Sequence, residues 1–108
     1  MDTSLALDAL RALGQAHRLA AFRALVEAGP AGLAVGALRE RLDLPAATLT
    51  AHLNTLRAAG LAVDEREGRV IRVRADFARM NALIAYLTEN CCGGASCAPS
   101  SPADCRSC

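Results

Sequence analysis

Five cysteines carry most of the reactive chemistry in this sequence, and all of them lie between positions 91 and 108. Cys91 and Cys92 are adjacent, two glycines follow them before Cys97, and Cys105 and Cys108 form a Cys-x-x-Cys pair at the end. An odd number of thiols fits a closed disulfide framework poorly, and clustered thiols in a reducing compartment are more often metal ligands or redox sensors. The segment 91–108, which we call the cysteine tail, therefore predicts a thiol-based binding or sensing site.

The composition limits the kind of protein that carries this tail. A chain of 108 residues with 3% aromatic residues forms one modest domain, and its small core favours oligomerisation. Alanine accounts for much of the hydrophobic fraction of 53%, which favours helices. No apolar run is long enough for a membrane helix and no signal segment begins the sequence, so we expect a cytoplasmic protein without a membrane partner. All twelve basic residues are arginines, and six lie between positions 57 and 79, which predicts a local basic surface despite a net charge of +1.

Apolar periodicity predicts four helices before position 60. Each helix has apolar residues at spacings of three and four, and the first one could be capped by Thr3 or Ser4. The tight connection Asp43-Leu44-Pro45 joins the third helix to the fourth, as in a helix-turn-helix. The predicted helices span residues 4–13, 16–28, 35–42 and 46–59.

The periodicity changes from helical to alternating after position 60, which predicts a two-stranded hairpin with its turn at Glu67-Gly68. We call this hairpin the wing. One face of its second strand is apolar, whereas the other carries arginines that we expect to be solvated. Arg66 and Arg69 flank the tip, where they could reach the backbone or minor groove of DNA. The alternating residues are Ile71 and Val73 on the apolar face and Arg72 and Arg74 on the other.

A last helix is predicted over residues 75–90. Its apolar residues are spaced three, four and three positions apart, as in the seam of a helix that packs against a partner helix. We therefore predict a homodimer, with Leu5 of the first helix joining the interface. The same spacing continued once more reaches Cys91, so we hypothesise that this cysteine is also the last residue of the seam. The seam consists of Phe77, Met80, Ile84 and Leu87.

Together these elements predict a mainly α fold with a small β-hairpin, a homodimeric winged helix-turn-helix. Residues 1–90 would bind DNA and dimerise, and residues 91–108 would form the separate cysteine-rich tail. In the fourth helix, Leu49, Leu53 and Leu56 would face the core and leave the opposite face for a major groove. A two-fold dimer would place two such helices about 34 Å apart, which predicts an inverted-repeat operator in double-stranded DNA. The residues predicted to face DNA are Thr48, Thr50, Ala51, Asn54 and Thr55, with His52 at the border as either a packed residue or a DNA contact, and Arg66 and Arg69 of the wing.

The order of elements and two sequence segments resemble the ArsR (ArsR/SmtB-type) family of bacterial winged-helix repressors over residues 5–97. The segment ALGQAHRLAAFRALVEAG, which includes Arg18, is similar to the family's second helix. The segment LPAATLTAHLNTLRAAGLAVDEREGRVIRVR is similar to its recognition helix and wing. The family usually carries Ser-x-His-Leu where this chain has Thr50-Ala51-His52-Leu53, so the hydroxyl is kept.

The resemblance also extends into the cysteine tail. The family's cysteine pair in the first helix of the helix-turn-helix is absent, because residues 35–40 contain no thiol. The run Cys91-Cys92-Gly93-Gly94 followed by Cys97 is similar to a subset whose arsenic-binding cysteines follow the last helix. The resemblance thus implies a repressor without an organic cofactor. It would leave its operator when As(III), or as a second candidate Sb(III), binds those three cysteines.

The chemistry of trivalent arsenic suits this spacing. The ion is soft and carries a lone pair, so it favours three thiolates over the closed four-ligand cage that zinc prefers. Cys97 lies five residues after Cys92, a reach of roughly 17 Å for an extended chain, and the two glycines between them can turn through positive φ. Cys105 and Cys108 could be further ligands, a thiol relay or part of a mobile tail.

Three other functions remain open at this point. A redox-sensing repressor of the same fold would form a disulfide between Cys97 and one of the adjacent cysteines. A small thiol enzyme such as an arsenate reductase fits less well, because no phosphate-cradling loop precedes a cysteine; we therefore expect no enzymatic activity. A zinc or cadmium sensor is also disfavoured, because His17 and His52 lie in helices that packing or DNA contacts occupy.

Overall fold

The computed structural model describes residues 1–94 and confirms a mainly helical fold with a small antiparallel sheet. The helices are α1 (Thr3–Leu13), α2 (Ala16–Ala28), α3 (Val35–Leu42), α4 (Ala46–Ala58) and α5 (Phe77–Thr88). The strands are β1 (Leu33–Ala34), β2 (Ala62–Glu67) and β3 (Val70–Ala75), and short 3-10 turns span Gly29–Ala31 and Cys91–Gly94. Among the described residues, none of the helices combines the length and apolar character that crossing a membrane requires.

Side-chain caps fix where three of the helices begin. Asp2 accepts a hydrogen bond from the Leu5 backbone N–H at 2.8 Å and caps α1, so the prediction that Thr3 or Ser4 caps this helix is wrong. Gln15 caps α2 and Asp76 caps α5 in the same way. A carboxylate at the start of α1 also compensates the positive end of the helix dipole, which a hydroxyl cannot do.

The wing is part of a three-stranded sheet rather than a two-stranded hairpin. The strand order is β1-β3-β2, and the two-residue strand β1 pairs with the inner strand β3 through Leu33 and Ala34. The hairpin pairs Glu67 with Val70, so its turn is Gly68-Arg69, one residue later than predicted. Gly68 has a φ of 59°, the positive value that the first central residue of a type II′ turn requires.

The core is built from leucines of three helices and the inner face of the sheet. Helix α1 contributes only small side chains to it, which lets its backbone pack closely on α2 and α4. Leu83 is the residue of α5 that is most buried, and Asp76 begins α5 with a backbone bond to Leu61 just after α4. The fully buried large side chains are Leu25, Leu38, Leu49, Leu53, Leu56, Leu61 and Val73, and those of α1 are Ala6, Ala9 and Ala12.

Replacing Gly32 by alanine is expected to destabilise the protein by about 3 kcal/mol or more. Gly32 has a φ of 67°, and a Cβ there would lie 2.3 Å from the carbonyl oxygen of Val73 and 2.9 Å from the Cβ of Arg74. Conformational strain at such a position costs of order 1–3 kcal/mol, and the collision with backbone adds to it. Denaturant unfolding measures the difference.

Gly29→Ala is the matched control for this prediction. Gly29 has a φ of 77°, but a Cβ there meets nothing within 4 Å, so only the conformational strain applies. Equal losses in the free energy of unfolding for Gly29→Ala and Gly32→Ala would show that the close approach of β3 is not what requires a glycine at position 32.

Helix α5 ends earlier than the sequence predicts. Its last residue is Thr88, and Asn90 and Cys92 have φ values of 56° and 59°, which are incompatible with a continuing α-helix. Cys91 therefore lies in the following 3-10 turn. The hypothesis that Cys91 is the last residue of the α5 seam is wrong.

Candidate nucleic-acid interface and thiol pair

Helix α4 turns its leucines inward and a polar face outward. Leu49, Leu53 and Leu56 are at most 1% exposed, so the opposite face is available to a ligand. Pro45 precedes the helix and no side chain among the described residues caps it, which leaves its first N–H groups free for a phosphate. Thr48, Thr50, Ala51, Asn54 and Thr55 are all exposed, as the sequence predicts, and His52 is half-buried.

The turn between α3 and α4 sets the angle at which α4 is presented. Asp43 has a left-handed φ of 52°, and its backbone N–H donates to the carbonyls of Arg39 and Glu40. The Arg39 side chain in turn donates to the carbonyl of Leu44 at 3.3 Å. These bonds close the end of α3 and hold the connection to α4 in one conformation.

One edge of α4 packs against α2 through histidines. The ring centroids of His52 and His17 are 5.8 Å apart. Arg18, beside them, donates from Nε to the carbonyl of Ala12 at 2.7 Å and thereby caps the end of α1. Burial, followed by the positive charges of Arg18 and His17, lowers the pKa of His52 below its usual value of 6.5. Both predictions for His52, a packed residue or a DNA contact, are compatible with this position, because its ring contacts α2 from the border of the exposed face.

The other edge of α4 is tied to the wing by a hydrogen-bonded chain of three side chains. Arg57 donates from Nη1 to Oδ1 of Asn54 and from Nε to Oδ1 of Asp64, both at 2.9 Å. We call these residues the polar chain. Arg57 and Asp64 are not among the residues predicted from the sequence; the spacing of Asn54 and Arg57 on one helix was a usable signal, but the position of Asp64 depends on the register of β2.

The wing is less basic than its arginines suggest. Arg66 and Arg69 are exposed near the tip, as predicted, but β2 also carries three acidic residues in the run Asp64-Glu65-Arg66-Glu67. Arg72 is not simply solvated, because it donates to the carbonyls of Ala31 and Gly32 at 3.1 and 3.3 Å. Arg74 lies 3.9 Å from Glu65, so the wing arginines most available to DNA are the two at the tip.

The predicted dimer residues fall into two groups. Phe77 and Met80 are half-buried against the core of their own protomer, whereas Leu5, Ile84 and Leu87 are 40%, 52% and 58% exposed. Helices α1 and α5 are linked by a hydrogen bond of 2.5 Å between the hydroxyls of Thr3 and Tyr86, which were not predicted as dimer residues. The exposed residues are those that a partner subunit could cover.

Cys91 and Cys92 lie exposed, shortly after the end of α5, and the sulfur of Cys92 is part of a disulfide. Their Sγ atoms are 3.5 Å apart, and Cys92 and Gly93 both have left-handed φ values, of 59° and 66°. At a metal–thiolate distance of about 2.3 Å, one thiophilic ion can bond both sulfurs once the disulfide at Cys92 is reduced. Within residues 1–94 there is no group of three metal-ligating side chains, so a third ligand must come from further along the chain. Cys97, Cys105 and Cys108 lie outside the described residues.

Comparisons with known proteins agree with this architecture. A family model described as a helix-turn-helix domain matches residues 13–66. The structure of an ArsR-like transcriptional regulator from Rhodococcus sp. RHA1 has 31% sequence identity and a TM-score of 0.67, covering 78% of this chain and 76% of that one. The chain belongs to the ArsR family of winged-helix transcriptional regulators.

Two further solved structures are similar to this chain. The homodimeric winged helix-turn-helix DNA-binding domain Mb0332 from Mycobacterium bovis has 26% identity and a TM-score of 0.63, covering 81% of each chain. Reduced HlyU from Vibrio cholerae N16961 has 27% identity and a TM-score of 0.62, covering 83% of this chain and 92% of that one. No curated protein matches the sequence.

The stability of this ArsR-family protein is expected to fall below about pH 6.5 through His52. Because folding lowers the pKa of His52, the unfolded chain binds the proton first as the pH drops, so this contribution is present above the unfolded pKa and is lost as the pH falls through the folded pKa. Denaturant unfolding at several pH values between 7.5 and 5.5 measures it. His52→Gln should flatten the dependence and His17→Gln should only reduce it; an unchanged profile in His52→Gln would contradict the assignment.

Proposed function

We propose that this ArsR-family regulator is an arsenite-responsive repressor in the cytoplasm. It binds an inverted-repeat operator as a homodimer and leaves it when As(III) binds Cys91, Cys92 and Cys97. The observation that carries the proposal is the close approach of the Cys91 and Cys92 sulfurs, 3.5 Å apart, shortly after the last helix of a winged helix-turn-helix. The protein's chemistry is ligand binding, and no step of it is catalytic.

The effector assignment rests on the number and type of ligands. In their reduced state, Cys91 and Cys92 offer two of the three bonds that a trigonal As(III) ion takes, and we assign the third bond to Cys97, five residues after Cys92 in the sequence. Within residues 1–94, no group of three or more histidine, cysteine or carboxylate side chains is placed to hold a metal ion, so this part of the chain does not supply the closed cage that zinc prefers. Sb(III), with similar softness and valence, is the second candidate effector.

Coupling to DNA would act through the end of α5 rather than through a seam that includes Cys91. The Thr88 hydroxyl donates to the Ile84 carbonyl at 2.9 Å, and the Glu89 N–H donates to the Tyr86 carbonyl at 3.3 Å. Tyr86 in turn bonds α1 through Thr3. Ordering the segment around Cys91 by a metalloid would therefore strain the last turn of α5 and shift the surfaces of α1 and α5 that a partner covers, which changes the spacing of the two α4 helices.

Titration of protein–DNA complexes with effectors tests this proposal. Duplexes are first selected from a random-sequence pool by the intact protein, and then arsenite, antimonite, zinc and cadmium are added separately. We expect release by arsenite, weaker at lower pH because thiolates must form, and the same release by a chain truncated after Ala98. Specific DNA binding without arsenite release would overturn the effector assignment.

A redox-sensing repressor is the second candidate function. The disulfide at Cys92 and the similarity to HlyU, whose structure is described as the reduced form, favour it over the zinc and enzyme alternatives. Release by peroxide but not by arsenite, in the same titration, would select this candidate.

A further inference from the structure

The polar chain determines which hydrogen-bonding groups α4 can offer to a base. A guanidinium only donates, so the Asn54 atom that lies 2.9 Å from Arg57 Nη1 must be the carbonyl oxygen Oδ1. This fixes the orientation of the amide. The amino group of Asn54 then lies on the other side of the amide plane, and no group among the described residues accepts a hydrogen bond from it. Asn54 is exposed, so its amino group remains available to DNA.

The orientation is imposed from the wing. Asp64 of β2 accepts from Nε of Arg57 at 2.9 Å, so the same planar guanidinium is held at one end by a carboxylate and bonds the amide at the other. The side chains of Arg57 and Asp64 are 27% and 42% exposed, so these bonds form in a partly shielded setting where their geometry is maintained better than between fully solvated groups.

We propose that Arg57 and Asp64 are specificity-determining positioning residues for DNA recognition by Asn54. A freely rotating asparagine reads adenine with both amide groups, accepting from N6 and donating to N7. An asparagine whose oxygen already accepts from Arg57 presents chiefly its two amino hydrogens, which match the two acceptors O6 and N7 of guanine. The inference rests on DNA binding by α4, and it assigns guanine rather than adenine to the base that Asn54 contacts.

Selection of bound duplexes from a random pool tests the inference, followed by binding assays on duplexes that differ at single positions. For the wild-type dimer we expect one position in each half-site where guanine is preferred over adenine by about tenfold. Arg57→Met and Asp64→Ala should lower that ratio to about two or below and leave the other positions unchanged. These two variants change the net charge in opposite directions, so a shared effect cannot come from charge.

Arg66→Met is the control variant. It removes a charge from the wing, as Arg57→Met does, but Arg66 lies outside the polar chain. It should weaken binding to all sequences alike without a change of preference. Thermal unfolding of each variant confirms that it is folded at the assay temperature.

The outcomes separate this inference from the proposed function. Failure of the wild-type protein to select any sequence would overturn DNA recognition itself. Sequence-specific binding with the same guanine-to-adenine ratio in Arg57→Met and the wild type would overturn only the role of the polar chain, as would a preference for adenine in the wild type.

Discussion

Leu87→Glu is expected to make the protein monomeric and to weaken its binding to an inverted-repeat operator by about 10³-fold or more. Leu87 is 58% exposed in the protomer, so the substitution changes little in the core, and glutamate is a good helix former. In a symmetric dimer the same patch contacts its own copy, so two buried like charges would face each other at the predicted interface. Sedimentation velocity and operator-binding assays measure the two effects.

Leu19→Glu is the matched control for the dimer prediction. Leu19 of α2 is 45% exposed and lies outside the predicted interface, so this variant makes the same chemical change elsewhere. It should remain dimeric and bind DNA nearly as the wild type does. A dimeric Leu87→Glu, or a monomeric Leu19→Glu, would place the interface on another face of the molecule.

Cys91→Ser is expected to lower the affinity for arsenite by at least about a hundredfold and to leave DNA binding without effector unchanged. Loss of a residue that only supports a metal ligand typically costs 10- to 100-fold, so loss of one of three direct ligands should cost at least as much. Cys91 is exposed and lies after the end of α5, so a serine there does not disturb the DNA-binding domain. Arsenite titration of a fluorescently labelled operator complex measures the response.

The double variant Cys105→Ser, Cys108→Ser serves as the control, because it makes the same chemical change outside the proposed ligand set. Its arsenite response should match that of the wild type. Full release by arsenite in Cys91→Ser, with unchanged stoichiometry, would show that this thiol is not a ligand. A lost response in the control instead would move the site towards the end of the chain.

The sequence was sufficient for the elements whose signals are local. Periodicity and glycine or proline breakers located α2 and α3 with correct bounds, and the leucine stripe of α4 correctly separated its buried face from its exposed one. Sequence signals failed where several neighbouring residues could fill one role. Asp2, Thr3 and Ser4 are all good caps, and the choice of Asp2 depends on where the first turn packs.

Features of the site that depend on pairing between distant residues could not be predicted. The third strand forms because Leu33 and Ala34 pair with β3, about 40 positions away in the sequence. A two-residue strand is too short to leave a recognisable pattern in the sequence. The same register places Asp64 beside Arg57 and directs Arg72 to the carbonyls of the turn before β1. The end of α5 was missed because helical spacing continues to Cys91, while the backbone changes direction at Asn90.

The alternating charges of the wing affect how quickly the regulator can dissociate from its operator. Each phosphate contact adds counterion release, a sequence-independent attraction that grows with the number of basic groups engaged. Glu65 and Glu67 stand among the wing arginines and the chain carries a net charge of only +1, so this attraction is small. In the proposed dimeric repressor, occupancy of the operator would then depend mainly on correct spacing of the two α4 helices. A modest change in that spacing would be enough to shorten the residence time and allow transcription to begin.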